Sequence, residues 1–409
     1  MVTSTESRTK FYGLLTDTEE LRAEVELVVN STPVMDVHTH LFPSGFNELC
    51  LSGIDELLTY HYLVAETFRS ARITHRQFWS MSKTDQADLV WKTLFVENTP
   101  TSEAAQGIIS VLDVFGLDTR AEDLKEAREF FNSQRLAQHI DQVFEIARVS
   151  GVVMTNDPRD EKEREVWTGG FTADSRFKSS LRLDRLLNDV GSGSAEARRR
   201  SLDQWIQRLN PVYLAVSLPP DFKYPTGDNR NRLLREVILP AAKEHGLGLT
   251  LMVGVRRGVN PNLREAGDAL GRADVTAIER LCADYPEIRF LVTFLSRENQ
   301  HELCVVARKF SNLMPFGCWW FLNNPSIVSE ITRERFELLG QSFIPQHSDA
   351  RVLEQLIYKW KHARRQIADA LCVSYEQLLH NGRAVTREEI ERDVNRLFSG
   401  NFNEWITTC

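Results

Sequence analysis

Eight short apolar runs alternate along this chain with longer stretches of helical periodicity, and that alternation limits its fold more than any other feature. The runs lie at 34–38, 151–155, 177–182, 212–217, 248–253, 288–293, 313–318 and 342–346. Near-continuous apolar strands suit a sheet covered on both faces, and helices between them are the crossovers that parallel pairing requires. A distorted, TIM-like (β/α)8 barrel of the α/β class meets both demands. An open doubly wound sheet is the rival, but no glycine-rich phosphate turn follows the first run, and no second domain boundary interrupts 1–409. The gap between the first two runs is too long for a single crossover. Residues 53–150 carry apolar side chains at three- and four-residue spacing almost throughout, which predicts a helical insertion, or cap, within one barrel domain. Beyond Asp349, VLEQLIYKWKHARRQIADALC predicts a strong amphipathic helix.

Composition narrows the function classes. Hydrophobic residues make up 42% and charged residues 26% of 409, the balance of a soluble globular protein. Lys and Arg total 49 against 57 Asp and Glu, a net charge of -8, without the basic excess that nucleic-acid binding needs. No run of about 18 apolar residues is present to span a membrane, and the first residues lack the apolar core of a signal peptide. The six cysteines are scattered with no C-x-x-C pair, which predicts reduced thiols, no structural zinc and a cytoplasmic protein.

The sharpest chemical signal ends the first run, where His38 and His40 flank Thr39. Alternation along a strand sends both imidazoles to one side, and at the mouth of a barrel they can converge on a divalent metal. The plain rival is a pair of polar residues satisfied by backbone. A catalytic metal usually takes three protein ligands. The eighth run offers Asp349, either as the third ligand and a proton shuttle or, on the ordinary reading, as an N-cap of the last long helix. Arg351, two residues on, suits capture of a substrate carboxylate. The fourth run has no Lys and the fifth has Met252 where a further imidazole would stand, which favours one metal acting as a Lewis acid over a two-metal site.

The segments MDVHTHLF, ELLTYHYLVAE, RLDRLL, VGVRRGVNPNLREAGDALGR, FGCWWFLNNP and HSDARVLEQLIYKW, in this order, resemble the uronate (glucuronate) isomerases of the amidohydrolase superfamily, in their shorter, divergent branch. The resemblance runs over nearly the whole chain. It implies interconversion of D-glucuronate with D-fructuronate and of D-galacturonate with D-tagaturonate, with one divalent metal, zinc or alternatively manganese. It implies His38, His40 and Asp349 as metal ligands. Arg351 and Arg182 would hold the substrate, with His61, Arg257 and Trp319 or Trp320 beside it, and Tyr62 with Asp349 would move protons. A homo-oligomer is the expected assembly. Two departures from the common form stand out: Met252 replaces a His, and the loop after Arg257 is rewritten as GVNPNLREAGD.

Moving a carbonyl from C1 to C2 of a sugar passes through a cis-enediol, so a proton carrier must reach both carbons while the C6 carboxylate anchors the chain. Each residue has a plainer use. Tyr62 can be a helix-face aromatic beside Tyr60, which is expected to pack; Arg182 can pair with Asp184 or Asp174. Strand alternation predicts that only one of Trp319 and Trp320 faces the pocket, and the same choice arises between Arg256 and Arg257. Two other readings compete: a mononuclear metal-dependent hydrolase, such as a lactonase, or decarboxylase on the same His pair, and a binding protein that keeps the pocket without turnover.

Overall fold

A computed structural model of the chain describes residues 13–188 and 194–407; Cys409 and most of the N-terminal stretch read for a signal peptide lie outside them. Seven of the eight apolar runs form a single parallel sheet: β1 (Val34–Thr39), β2 (Val149–Asn156), β3 (Phe177–Arg182), β4 (Tyr213–Leu218), β5 (Gly248–Val253), β6 (Phe290–Phe294) and β7 (Leu313–Pro315). Each strand pairs with the next in sequence, and every pair is parallel. The strands are buried along almost their whole length because both faces are covered. Leu249, Leu251 and Val253 meet Phe290, Val292 and Phe294 on the helix-covered side. On the other side Met35, Val37, Tyr213, Met252 and Leu291 fill the interior with Phe402 and Trp405 of the helix Asn401–Thr407. The interior is therefore a packed core, closed off beside the start of β5, where a Cβ on Gly248 would stand 2.3 Å from the Trp405 ring.

The eighth run departs from expectation. Residues 342–346 make no strand, only a parallel bridge from Ile344 to Phe316. The segment still closes the barrel with other hydrogen bonds. Ile344 N donates to Pro315 O at 3.1 Å and Gly317 N to Ile344 O at 2.9 Å, while Asp349 N donates to His38 O at 3.1 Å and His40 N to Ala350 O at 2.7 Å. Pro345 has no amide to give to a ladder, and Asp349 sits at φ 51°, so regular pairing cannot run through. The result is the distorted (β/α)8 barrel. β7 is likewise shorter than 313–318, because Gly317 turns the chain at φ 64°.

Between β1 and β2 runs a series of helices, from Ile54–Leu58 to Leu136–Ala147, among them α1 (His61–Ser70) and α2 (Glu103–Val114). The last long helix, α3 (Gln355–His380), packs against this series and against the barrel. An amphipathic helix buries one stripe, but Leu356, Ile357, Tyr358, Lys359 and Trp360 at its start are all buried. The approach to α2 is close enough that a Cβ on Gly107 would lie 2.7 Å from the Tyr358 ring. Trp360 Nε1 donates to the Asp36 carboxylate at 2.8 Å, tying α3 to β1. No helix among the described residues is long and apolar enough to cross a membrane.

Candidate metal centre and active site

β1 carries His38 to the cavity, while Asp36 meets Trp360 of α3 and Thr39 Oγ1 donates to Val153 O, and the register against β2 slips between Asp36 and Thr39. Such irregularities re-aim side chains, and this one sits where the imidazoles leave the strand. Tyr213 O–H donates to Val37 O at 2.7 Å, so the phenol oxygen is free to accept from His38 Nδ1 at 3.3 Å. In the tautomer with the ring proton on Nδ1, that contact leaves the Nε2 lone pair facing Asp349. Thr155 Oγ1 stands 3.4 Å from the same Nδ1. Burial pushes His38 down to about 3 and His40 down to about 4, so both rings are neutral at neutral pH.

The closing segment supplies Asp349. Its Oδ1 lies 3.3 Å from His40 Nε2 and 3.7 Å from His38 Nε2, and one ligand atom from each of the three residues falls within 4.8 Å of the others. Oδ1 is buried and has no hydrogen-bond partner. Burial would raise this carboxyl, but Lys359, and the His40 and His38 rings in the acid range where they are protonated, outweigh it and hold the group below the usual carboxylate range. Two neutral imidazoles with a free lone pair and an unpartnered buried anion fit a divalent cation. The helix-cap reading of Asp349 fails, because α3 begins at Gln355 with Glu354 at its N-cap. Beneath the centre, Asp36 accepts from Ser348 N at 3.1 Å and from Trp360, and burial lifts it to about 6.

The cavity above this centre is lined by His38, His40 and Asp349 together with Arg351, Arg182 and Arg257. His61, Trp319 and Trp320 are also there, and Tyr60, Thr155, Asp184 and Met252 join them. Arg257 lines the cavity and Arg256 does not; Arg257 pairs with Asp268 and stands 5.9 Å above the Trp320 ring. Arg182 Nε donates to Asp184 at 2.9 Å, so the plainer partner is present, yet both side chains face the cavity. Arg351 pairs with exposed Glu265 at 3.3 Å and also lines an adjoining cavity of about 520 Å³. His61 is pushed down to about 3 by burial, and its Nε2 has no partner.

Two expectations need correction. Both tryptophans line the cavity, because β7 has already ended: Trp320 sits at φ 48° at the start of a 3-10 turn, where strand alternation no longer applies. Tyr62 does not line the cavity, whereas Tyr60, which packs against the core as expected, does so as well. Tyr60 is the extended N-cap of α1, with ψ 145°, and Tyr62 lies inside the first turn, so the two rings leave in different directions. Tyr62 turns toward Lys359, whose Nζ is 5.6 Å from its ring centroid, and its buried hydroxyl has no partner.

Sequence reasoning also missed His347 and Lys359. His347 is fully buried, its ring 5.3 Å from that of His38, with neither nitrogen partnered. Its signal was adjacency to Asp349. For Lys359 the signal was a cation inside the apolar run LIYKW.

No protein-family profile and no curated protein sequence matches the chain. Among solved structures, it is 49% identical to a uronate isomerase from Bacillus halodurans C-125, over 97% of this chain and 98% of that one, with a TM-score of 0.94. A uronate isomerase from Thermotoga maritima shares the fold at 15% identity, with a TM-score of 0.73 over 98% of this chain and 100% of that one. A glucuronate isomerase from Caulobacter crescentus does so at 15% identity, with a TM-score of 0.66 over 99% and 97%.

Proposed function

Since the chain belongs to the uronate isomerase family, we propose that it interconverts aldo- and keto-hexuronates, D-glucuronate with D-fructuronate and D-galacturonate with D-tagaturonate. The observation that carries this reading is one cavity in which His38, His40 and Asp349 converge beside the guanidinium groups of Arg351 and Arg182. His38, His40 and Asp349 would hold a divalent cation, zinc by the nature of the donors. When bound, that ion supplies the Lewis acidity that eases charge build-up on the sugar oxygens.

The chain's own residues do the rest. Arg351 takes the C6 carboxylate in place of Glu265, a bidentate capture that fixes C1 and C2 relative to Asp349. Arg182, held in line by Asp184, adds a second cation for the sugar oxygens. Asp349 takes the proton from C2 and, after exchange with solvent, delivers one to C1 on the same face, as a cis-enediol requires, while the proton of the C2 hydroxyl passes to O1. Tyr60, Trp319 and Trp320 wall the cavity from water, and the unpartnered His61 Nε2 is available to a sugar hydroxyl. The helical segment 53–150 serves as the cap, contributing Tyr60 and His61. The five described cysteines are free, in keeping with a cytoplasmic setting.

The test is a coupled assay with both sugars in deuterated water, on metal-stripped and on zinc- or manganese-restored protein. Deuterium at the product carbon supports the enediol route; hydrolysis of lactones without turnover of either sugar would sink it. Arg351→Met is expected to lower kcat/KM by about 100-fold or more, largely through KM, because the anchor is lost. Zinc at about 100 times its Kd should stabilise the parent by about 2.7 kcal/mol, read as a rise in Tm. His38→Ala should abolish that rise; an equal rise in the variant would move the cation elsewhere.

A further inference from the structure

An ammonium gives up its water only at a cost, and a lysine stem is long enough to return it to solvent from most places in a fold. Lys359 does not return. It is 1% exposed, the only buried lysine among the described residues. Its Nζ points at the closing segment and donates to Ser348 O at 2.7 Å, with the Tyr62 ring 5.6 Å away. No carboxylate among the described residues pairs with it, though Asp349, Glu103 and Asp36 all act on it through space. A buried cation without a paired anion is poor material for stability, so its position calls for another account.

The peptide it grips is the one that most needs holding. Asp349, at φ 51°, is in the left-handed region, which a residue with a Cβ keeps only when its surroundings impose it. Three amides of this turn are fixed: Ser348 N on Asp36 at 3.1 Å, Asp349 N on His38 O at 3.1 Å, and Ala350 N on Ser348 Oγ at 3.1 Å. The Ser348 carbonyl is held by Lys359. We propose that Lys359 is a positioning residue for the isomerisation: by gripping the Ser348 carbonyl it sets the turn that aims the Asp349 carboxylate at His38, His40 and the substrate. Tyr62 is the surface on which the ammonium rests, which gives that side chain a place in the machinery without reaching the cavity. The inference rests on the reading of Asp349 as the proton carrier.

Lys359→Met separates this from a structural role, because methionine fills the space of the stem without burying a charge. The Tm is expected to hold or rise, while kcat falls by about 100-fold with KM within about threefold, the size of effect that a small misplacement of a reacting group produces. The visible absorption of Co2+ bound in place of zinc is expected to shift, since one ligand has moved; this readout needs no turnover. A loss of kcat smaller than about tenfold, an unchanged Co2+ spectrum, or a lower Tm with failure to fold would each overturn the proposal. A parent protein that binds Co2+ but turns over neither sugar would instead remove the proton-carrier reading, leaving the spectrum to decide whether Lys359 positions the ligand.

Discussion

Asp349→Asn is expected to lower kcat by about 10⁴-fold or more while leaving the fold intact. Removing a positioned general base costs about 10²–10⁴-fold by itself, and the same carboxylate is one of the three groups that converge on the cation site. The two losses act through one atom and need not add. The fold should survive for two reasons. Oδ1 makes no hydrogen bond to the rest of the protein, so none is lost. Asparagine also tolerates the left-handed backbone that position 349 requires at φ 51°. Steady-state kinetics beside a thermal melt checks this. A variant keeping more than about 1% of kcat would show that the proton travels by another group.

How much of this was legible beforehand depended on whether one residue's neighbours in sequence were also its neighbours in space. Runs 177–182 and 248–253 became β3 and β5 without change, because a strand buried on both faces needs only a local apolar run to declare itself. The H-x-H pair was legible for the same reason: two residues on one strand must share a side. The eighth run failed because, of SFIPQ, only Ile344 gives its amide to β7, Ser342 and Phe343 bond locally to Leu339 O and Gln341 O, and Pro345 has no amide to give. Tyr60, not Tyr62, reached the cavity because the start of a helix, where periodicity gives no direction, fell between them. Lys359 and His347 were invisible as site residues. Their meaning comes from Ser348 and His38, partners that only the closed barrel brings within reach. The family resemblance supplied Arg182 and Arg257, which no local pattern could have separated from ordinary surface arginines.

Gly317→Ala is expected to destabilise the protein by about 2–5 kcal/mol and to weaken cation binding with it. Gly317 turns the chain at φ 64°, where an L-residue with a Cβ costs about 1–2 kcal/mol. Its N–H is committed to Ile344 O at 2.9 Å, and its carbonyl accepts from buried Arg335 at 2.9 Å, so the backbone cannot swing away without breaking the bonds that close the barrel. The added Cβ would stand 1.9 Å from His347 Cδ2. That ring has little room to retreat, lying between Phe316 at 5.0 Å and His38 at 5.3 Å, and forcing a methyl into such a place costs about 1–3 kcal/mol more. Whatever relief the ring finds is taken by displacing His38, which is why cation affinity should fall along with stability. Urea unfolding measures the first effect and zinc titration the second. Pairing the change with His347→Ala removes the clash, so the double variant should be more stable than the sum of the two single losses predicts. Strict additivity would mean that the strain lies in the Gly317 backbone alone, and that His347 does not transmit it to His38.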